Sequence, residues 1–265
     1  MSVTFCALGS GSKGNSYLIA TEKNKILVDA GLSAKCIADN LVELGVKPNE
    51  IDGIIVTHEH SVHIGGIKVF SKKYDVPVYA NEKTMAAMLR KMPDMESKNV
   101  RTFTNSQSFY IGSLDISPFK TPHDSACSCG FSVYSGMNKI TVATDLGHMN
   151  SSILENLKHS DILVLESNHD IEMLIKGPYT QFLKQRVQGP RGHLSNDLCG
   201  ETLAYLLDYG LKQVILAHLS EENNTPSLAY NTVCSHLHKR GAQDKVDVNI
   251  DIATQHTRGK CYRMI

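Results

Sequence analysis

Five short apolar runs in this chain each end in a residue suited to metal binding or proton transfer. KILVD ends at Asp29, DGIIVTHEH at His58 and His60, KITVATD at Asp145, DILVLES at Glu166 and QVILAH at His218. Runs of this length, rich in Val and Ile, read as buried strands, because β-branched side chains fit a pleated surface covered on both faces. A sheet covered on both faces needs a packed layer on each side. The polar residues then gather at one end of the strands, where sheet proteins commonly place their sites.

Helical patterns lie between the runs. Residues 33–45 place Ile37, Leu41 and Leu44 at helical spacing, with Ser33 as a cap and Gly45 as a stop. Residues 63–74, 82–92, 195–208 (opened by Ser195 or Asn196) and 226–239 (opened by Pro226) also read as helices. Strands at 3–8, 16–20 and 25–29 suggest an antiparallel meander. VDVNIDI at 246–252 alternates strictly and predicts a half-exposed strand. No low-complexity segment, linker or solenoid-length repeat interrupts the alternation. The expected fold is α+β, a four-layer αββα sandwich, built as a single domain over residues 1–265.

Composition narrows the function. Lys plus Arg and Asp plus Glu number 27 each, so the chain is not coated in positive charge, although a local basic groove is compatible with that balance. Hydrophobic residues at 42% and charged residues at 20% describe a globular chain. No apolar run approaches the roughly 18 residues of a membrane span. The start, MSVTFCALGSGSKGNS, lacks the basic region and apolar core of a signal peptide. Seven scattered cysteines suit free thiols in a reducing cytosol, so a cytoplasmic location is expected. Cys127 and Cys129 are too close for a zinc knuckle and read as small core residues. Without a coiled coil or a broad apolar stripe, a monomer or weak dimer is expected.

The stretch THEHSVHIGG, residues 57–66, carries His58, His60 and His63. Side chains two apart on a strand share a face, so His58 and His60 can reach one metal. His63 follows after a turn and can face a second ion. His123 in TPHDS, Asp145 in ATDLG and His218 in LAHLS are further candidates. Imidazole suits zinc, manganese or iron, and carboxylates favour harder ions. A lone histidine among the 12 here reads as a surface or hydrogen-bonded residue. A HEHSVH cluster followed by three more candidates at strand ends reads as a metal site.

With these residues in place, the chain resembles the metallo-β-lactamase fold superfamily, and within it the bacterial YycJ/WalJ/VicX exonuclease group. The resemblance runs through GSGSKGNSYLI, LVDAG, THEHS-HIGG, TPHD with GFSV, ATDLG, LESNHD, GHLSN and LAHLSEENN, over essentially the full length. No long insertion separates Asp145 from His193, unlike the β-CASP nucleases. The resemblance implies His58, His60 and His123 as ligands of a first metal, His63 and His218 as ligands of a second, and Asp145 as the bridge. Asp29 would orient a ligand histidine from behind, although it also reads as a strand-end turn former. Glu166 and His193 would form a pair outside the metals, with His193 as general acid or phosphate ligand. The implied ions are manganese or zinc. The implied activity is 5′-to-3′ exonucleolysis of double-stranded DNA.

One position departs from the pattern. The group's HxHxDH motif carries an aspartate ligand where this chain has Val62, a difference of one base in the codon. Losing even an outer partner of a metal typically costs ~10–100-fold in affinity, so losing a direct ligand costs at least as much. An intact first site, a weak or empty second site and reduced turnover are therefore expected. On the substrate side, Ser195, Asn196 and Arg191 are candidate phosphate contacts, with Arg186 and Lys184 flanking the same loop. A solvated face is as good a reading of the arginines. GSGSKGN at 9–15 lacks P-loop spacing and reads as a loop near the mouth of the site. Glu222, Asn223 and Asn224 read as caps of the following helix or as substrate contacts. Two other functions fit parts of the sequence. One is ester or thioester hydrolysis on the same fold, which needs no basic groove. The other is a catalytically dead DNA-binding or regulatory protein, with Val62 as its natural state.

Overall fold

A computed structural model describes residues 2–264. Each expected apolar run forms a strand, and the strands build two seven-stranded sheets. The first takes β1 (Val3–Gly9), β2 (Ser16–Thr21), β3 (Lys25–Val28), β4 (Gly53–Ile55), β5 (Val78–Asn81) and β6 (Val100–Phe103). The second takes β7 (Phe109–Ile111), β8 (Leu114–Lys120), β9 (Cys129–Ser135), β10 (Asn138–Ala143), β11 (Ile162–Glu166), β12 (Gln213–Ala217) and β13 (Asn249–Ile252). β14 (Cys261–Met264) returns to the first sheet and pairs antiparallel with β1. The expected meander is present as antiparallel β1, β2 and β3. From β3 to β6, and from β10 to β13, the pairing is parallel. Parallel strands need crossovers and both faces covered.

The described residues hold nine α-helices, most of which supply that cover: α1 (Ala34–Glu43), α2 (Ser61–Ile64), α3 (Ile67–Tyr74), α4 (Glu82–Lys91), α5 (Ser151–Leu157), α6 (Ile171–Lys176), α7 (Gln181–Gln188), α8 (Asn196–Leu206) and α9 (Pro226–Lys239). Phe5, Tyr17, Ile26, Phe131, Val164 and Ile215 fill the space between the sheets. Ile37 and Leu41 of α1, Phe70 of α3 and Met88 of α4 pack on the outer face of the first sheet. Leu157 of α5, Leu203 of α8 and Val233 and Leu237 of α9 do so on the second. The result is an α+β sandwich of four layers, αββα.

Three local expectations change. Residues 63–74 form two helices rather than one, because the chain breaks at Gly65 and Gly66 to meet the loop after β3. Gly66 N–H donates to Ala30 O, and a Cβ at Gly66 would lie 2.2 Å from Leu32 O. That approach is open only to glycine. β4 stops at Ile55, so His58 and His60 leave the sheet and share a loop rather than a strand face. The strand expected over 246–252 begins only at Asn249.

Candidate metal centre

Three strand ends carry the site, and each turns sharply. Asp29 after β3, Asp145 after β10 and His218 after β12 have φ of 59°, 61° and 55°. Left-handed backbone costs about 1–3 kcal/mol at a non-glycine residue, so surrounding contacts must hold it. At Asp29 those contacts are visible. Its buried carboxylate accepts from Thr57 N at 2.8 Å, Thr57 Oγ1 at 2.8 Å and His63 Nδ1 at 2.7 Å. This ties the end of β3 to the histidine loop.

The histidine rings converge. His60 Nδ1 lies 3.0 Å from His58 Nε2 and 3.3 Å from His123 Nε2. The Asp145 carboxylate spans two groups. Its Oδ1 is 3.5 Å from His123 Nε2 and 3.9 Å from His58 Nε2. Its Oδ2 is 3.3 Å from His63 Nε2 and 3.1 Å from His218 Nδ1. The sets His58–His60–His123 and His58–His63–Asp145 each present ligand atoms within 4.8 Å of one another.

The proton positions decide whether this set suits a cation. Gly192 O accepts from His123 Nδ1 at 3.0 Å, so the His123 proton is on Nδ1. Thr57 Oγ1 gives its own hydrogen to Asp29 and so accepts from His58 Nδ1 at 3.1 Å. Asp29 likewise holds the His63 proton on Nδ1. The Nε2 lone pairs of all three rings therefore point inward, at one another and at Asp145. His63 Nε2 is buried and makes no hydrogen bond. Lone pairs facing a carboxylate inside a protein repel unless a positive charge lies between them. Burial pushes the His58 imidazole well below its usual range and lowers His60 and His123 too, which keeps them in the neutral form that binds metal. Burial would raise the Asp145 carboxyl, but His218, which donates Nδ1–H to it at 3.1 Å, holds it well below the usual carboxylate range. Burial likewise opposes charge on His218, yet the Asp145 carboxylate overrides it and lifts the imidazole to about 9. The donor set fits divalent metal.

Beside this cluster, fully buried Glu166 accepts from His193 Nδ1 through Oε1 at 2.7 Å. Its Oε2 accepts from Leu146 N at 2.8 Å and Leu194 N at 3.0 Å. Atoms of Asp145, Glu166, His193 and His218 also lie within 4.8 Å of one another. Both oxygens of Glu166 thus carry hydrogen bonds, and the one on Oε1 fixes the His193 ring. His60, Asp145, His193 and His218 open into one cavity of about 310 Å³. Val62 lines it as well, with its carbonyl fixed by Asn15 N at 2.8 Å and packed against Gly31.

A sequence profile of the beta-lactamase superfamily domain matches residues 24–219. Exodeoxyribonuclease WalJ of Streptococcus pneumoniae is 36% identical over 255 residues, covering 96% of this chain and 93% of that protein. Exodeoxyribonuclease YycJ of Bacillus anthracis is 35% identical over 241 residues, covering 91% of each. The chain belongs to the metallo-β-lactamase superfamily. Among solved superfamily structures, YhfI of Bacillus subtilis superposes with a TM-score of 0.73 at 16% identity, covering 100% of both chains. At that identity the likeness is one of fold.

Against this superfamily framework, the three substrate-contact candidates sit differently from expectation. Ser195 is buried and caps α8, its hydroxyl accepting from Leu198 N at 3.2 Å. Asn196 is fully buried, and its amide is engaged with Ser167 Oγ at 2.6 Å and with Asn224. Arg191 donates to His123 O through Nε and Nη2 at 3.1 and 3.0 Å, so its guanidinium steadies the His123 loop. None of the three lines the cavity. Its far walls come instead from Ser12 of the GSGSKGN loop, Asn168, Tyr179, Arg186 and Asn223. The cap of α9 falls to Thr225, not to the preceding asparagines. Tyr179 and Asn168 carried no signal, because neither ends an apolar run.

Proposed function

We propose that this chain is a metal-dependent phosphodiesterase that degrades double-stranded DNA from the 5′ end. In this reading it is one hydrolase domain over residues 1–265, cytoplasmic, and a monomer or weak dimer. His58, His60 and His123 would hold the first ion, and His63 and His218 the second, with Asp145 between them. Manganese, or alternatively zinc, would occupy the sites. Bound there, metal would supply Lewis-acid polarisation of a phosphoryl oxygen.

The remaining chemistry belongs to the chain. The observation that carries the reading is the Glu166–His193 pair at the wall of the cavity that the histidines share. With Nδ1 tethered to Glu166 at 2.7 Å, His193 turns Nε2 toward the cavity. From that atom it would pass a proton to the leaving oxygen of a phosphodiester. Two relatives that span nearly the whole chain are exodeoxyribonucleases by name, which supports DNA as substrate. Val62 puts an isopropyl group where the group's motif has a carboxylate. It leaves the first ion's ligands intact and weakens the second site.

The test is manganese-dependent cleavage of 5′-phosphorylated duplex DNA by this chain and by its Val62→Asp variant. The variant should cut at least ~100-fold faster. Equal rates would overturn the assignment of the second site. No cutting by either would overturn the nuclease reading.

A further inference from the structure

From Met173 to Asn196 the sequence contains no Asp or Glu, yet it carries Lys176, Lys184, Arg186 and Arg191. In a chain with zero net charge, this is a concentrated cationic band. Arg186 lines the cavity and is paired with Asp124, Lys184 on the same helix donates to Ile175 O, Lys176 pairs with Glu172 and Arg191 donates to His123 O.

α7 is mounted outside the core. None of its residues is buried. Tyr179, Leu183, Arg186 and Val187, spaced three or four apart, face the cavity. Phe182, four residues and so one turn before Arg186 on the helix, is 76% exposed. Single exposed aromatics are common on protein surfaces. This one stands one helical turn from the cavity-lining Arg186, on a helix that carries no carboxylate. α7 is also coupled to the chemistry, because Val187 O accepts from His193 N at 2.9 Å.

Aromatic faces beside cations, along a groove leading to a phosphodiester site, are what a nucleic-acid strand requires. Bases stack on the rings and phosphates meet the cations. We propose that α7 is a base-stacking platform, with Phe182 lying against a base of the DNA strand that enters the cavity. The assignment rests on the nuclease reading. It adds that the chain grips its substrate by stacking and phosphate contact, with tolerance for sequence, since every base has a π-face.

The test uses the full chain in EDTA, so that binding is read without cleavage. The probe is a 5′-phosphorylated duplex with 2-aminopurine at its 5′-terminal position. Binding should change the fluorescence of the probe. Phe182→Ala should weaken binding roughly 5–10-fold and abolish that change, whereas Phe182→Trp should keep both. An exposed side chain leaves the fold to the rest of the chain, and circular dichroism of both variants checks this. The same affinity and the same fluorescence change in Phe182→Ala would overturn the platform. So would an absence of DNA binding by the parent chain. Metal-dependent cleavage by Val62→Asp is a separate measurement, so a failure of the nuclease reading can be told apart from a failure of the platform.

Discussion

Replacing Glu166 by Gln separates the positioning of His193 from the stability of the loops around it. Two buried amides, Leu146 N and Leu194 N, donate to Oε2 at 2.8 and 3.0 Å. Turning the new NH2 group toward them would strand both donors, at about 1–3 kcal/mol each. The glutamine therefore keeps its oxygen on the amides and points its NH2 at His193. His193 must then accept through Nδ1 and carry its proton on Nε2, and the anion that supports a doubly protonated ring is gone. Folding stability should change by less than about 1 kcal/mol, while loss of general acid catalysis removes about 10²–10⁴ from kcat. That corresponds to roughly 3–5 kcal/mol of barrier. The assay is manganese-dependent cleavage of duplex DNA in the Val62→Asp background, with urea unfolding measured in parallel. Glu166→Ala strands both amides and should lose about 2–6 kcal/mol of stability as well. If Glu166→Gln cuts within a few-fold of its parent, His193 is not the acid. If Gln and Ala destabilise equally, the two amide bonds do not set the orientation of residue 166.

Asp29→Asn keeps a side chain that tolerates a φ of 59° but sets an NH2 group against a donor from Thr57 or His63. In the Val62→Asp background, second-site affinity for manganese should fall ~10–100-fold by calorimetry, and an unchanged isotherm would refute the orienting role of Asp29. Arg191→Ala should lower first-site metal affinity by freeing the His123 loop, while leaving the salt dependence of DNA binding as it was. A slope of log Kd against log salt that falls by about one would restore Arg191 as a phosphate contact. Lys139 gives a pH signature remote from the site. Burial lowers its ammonium from 10.5 to about 8, so between those values the unfolded chain holds a proton that the folded chain has lost. Stability from this group therefore rises with pH across that window. Urea unfolding at pH 8 and pH 10 should show the rise in the parent relative to Lys139→Met, and a constant difference between the two proteins would refute it.

Which features were legible in the sequence depended on how local their causes are. Strands were legible because an apolar β-branched run is its own evidence, and most of the candidate ligands stood out because they end such runs, His63 and His123 being read instead from THEHSVH and TPHDS. The same logic missed β14, whose CYRM sequence alternates between exposed and half-buried positions, and over-read the helix at 63–74. There the decisive contact comes from Leu32, more than 30 residues upstream of Gly66. Ser195 was legible as the opener of α8, the role it fills, while Asn196 in GHLSN looked free to reach substrate. Asn196 is claimed by Ser167 and Asn224, which the fold brings in from other strand ends. Arg191 is claimed by a carbonyl 68 residues away.

Net charge decided little for a related reason. Zero is a sum over the surface, and it fits an ester hydrolase as well as a nuclease. The local distribution is less neutral: the carboxylate-free stretch from Met173 to Asn196 frames the mouth of the cavity. The strongly held anions, Asp29, Asp145 and Glu166, lie beneath it at the strand ends, fully buried or nearly so. Anionic charge held in the floor suits cations, and Arg186 on the wall, though paired with Asp124, offers a polyanion a contact. An uncharged ester needs the floor but not that contact. That asymmetry supports the proposed phosphodiester over an ester or a thioester.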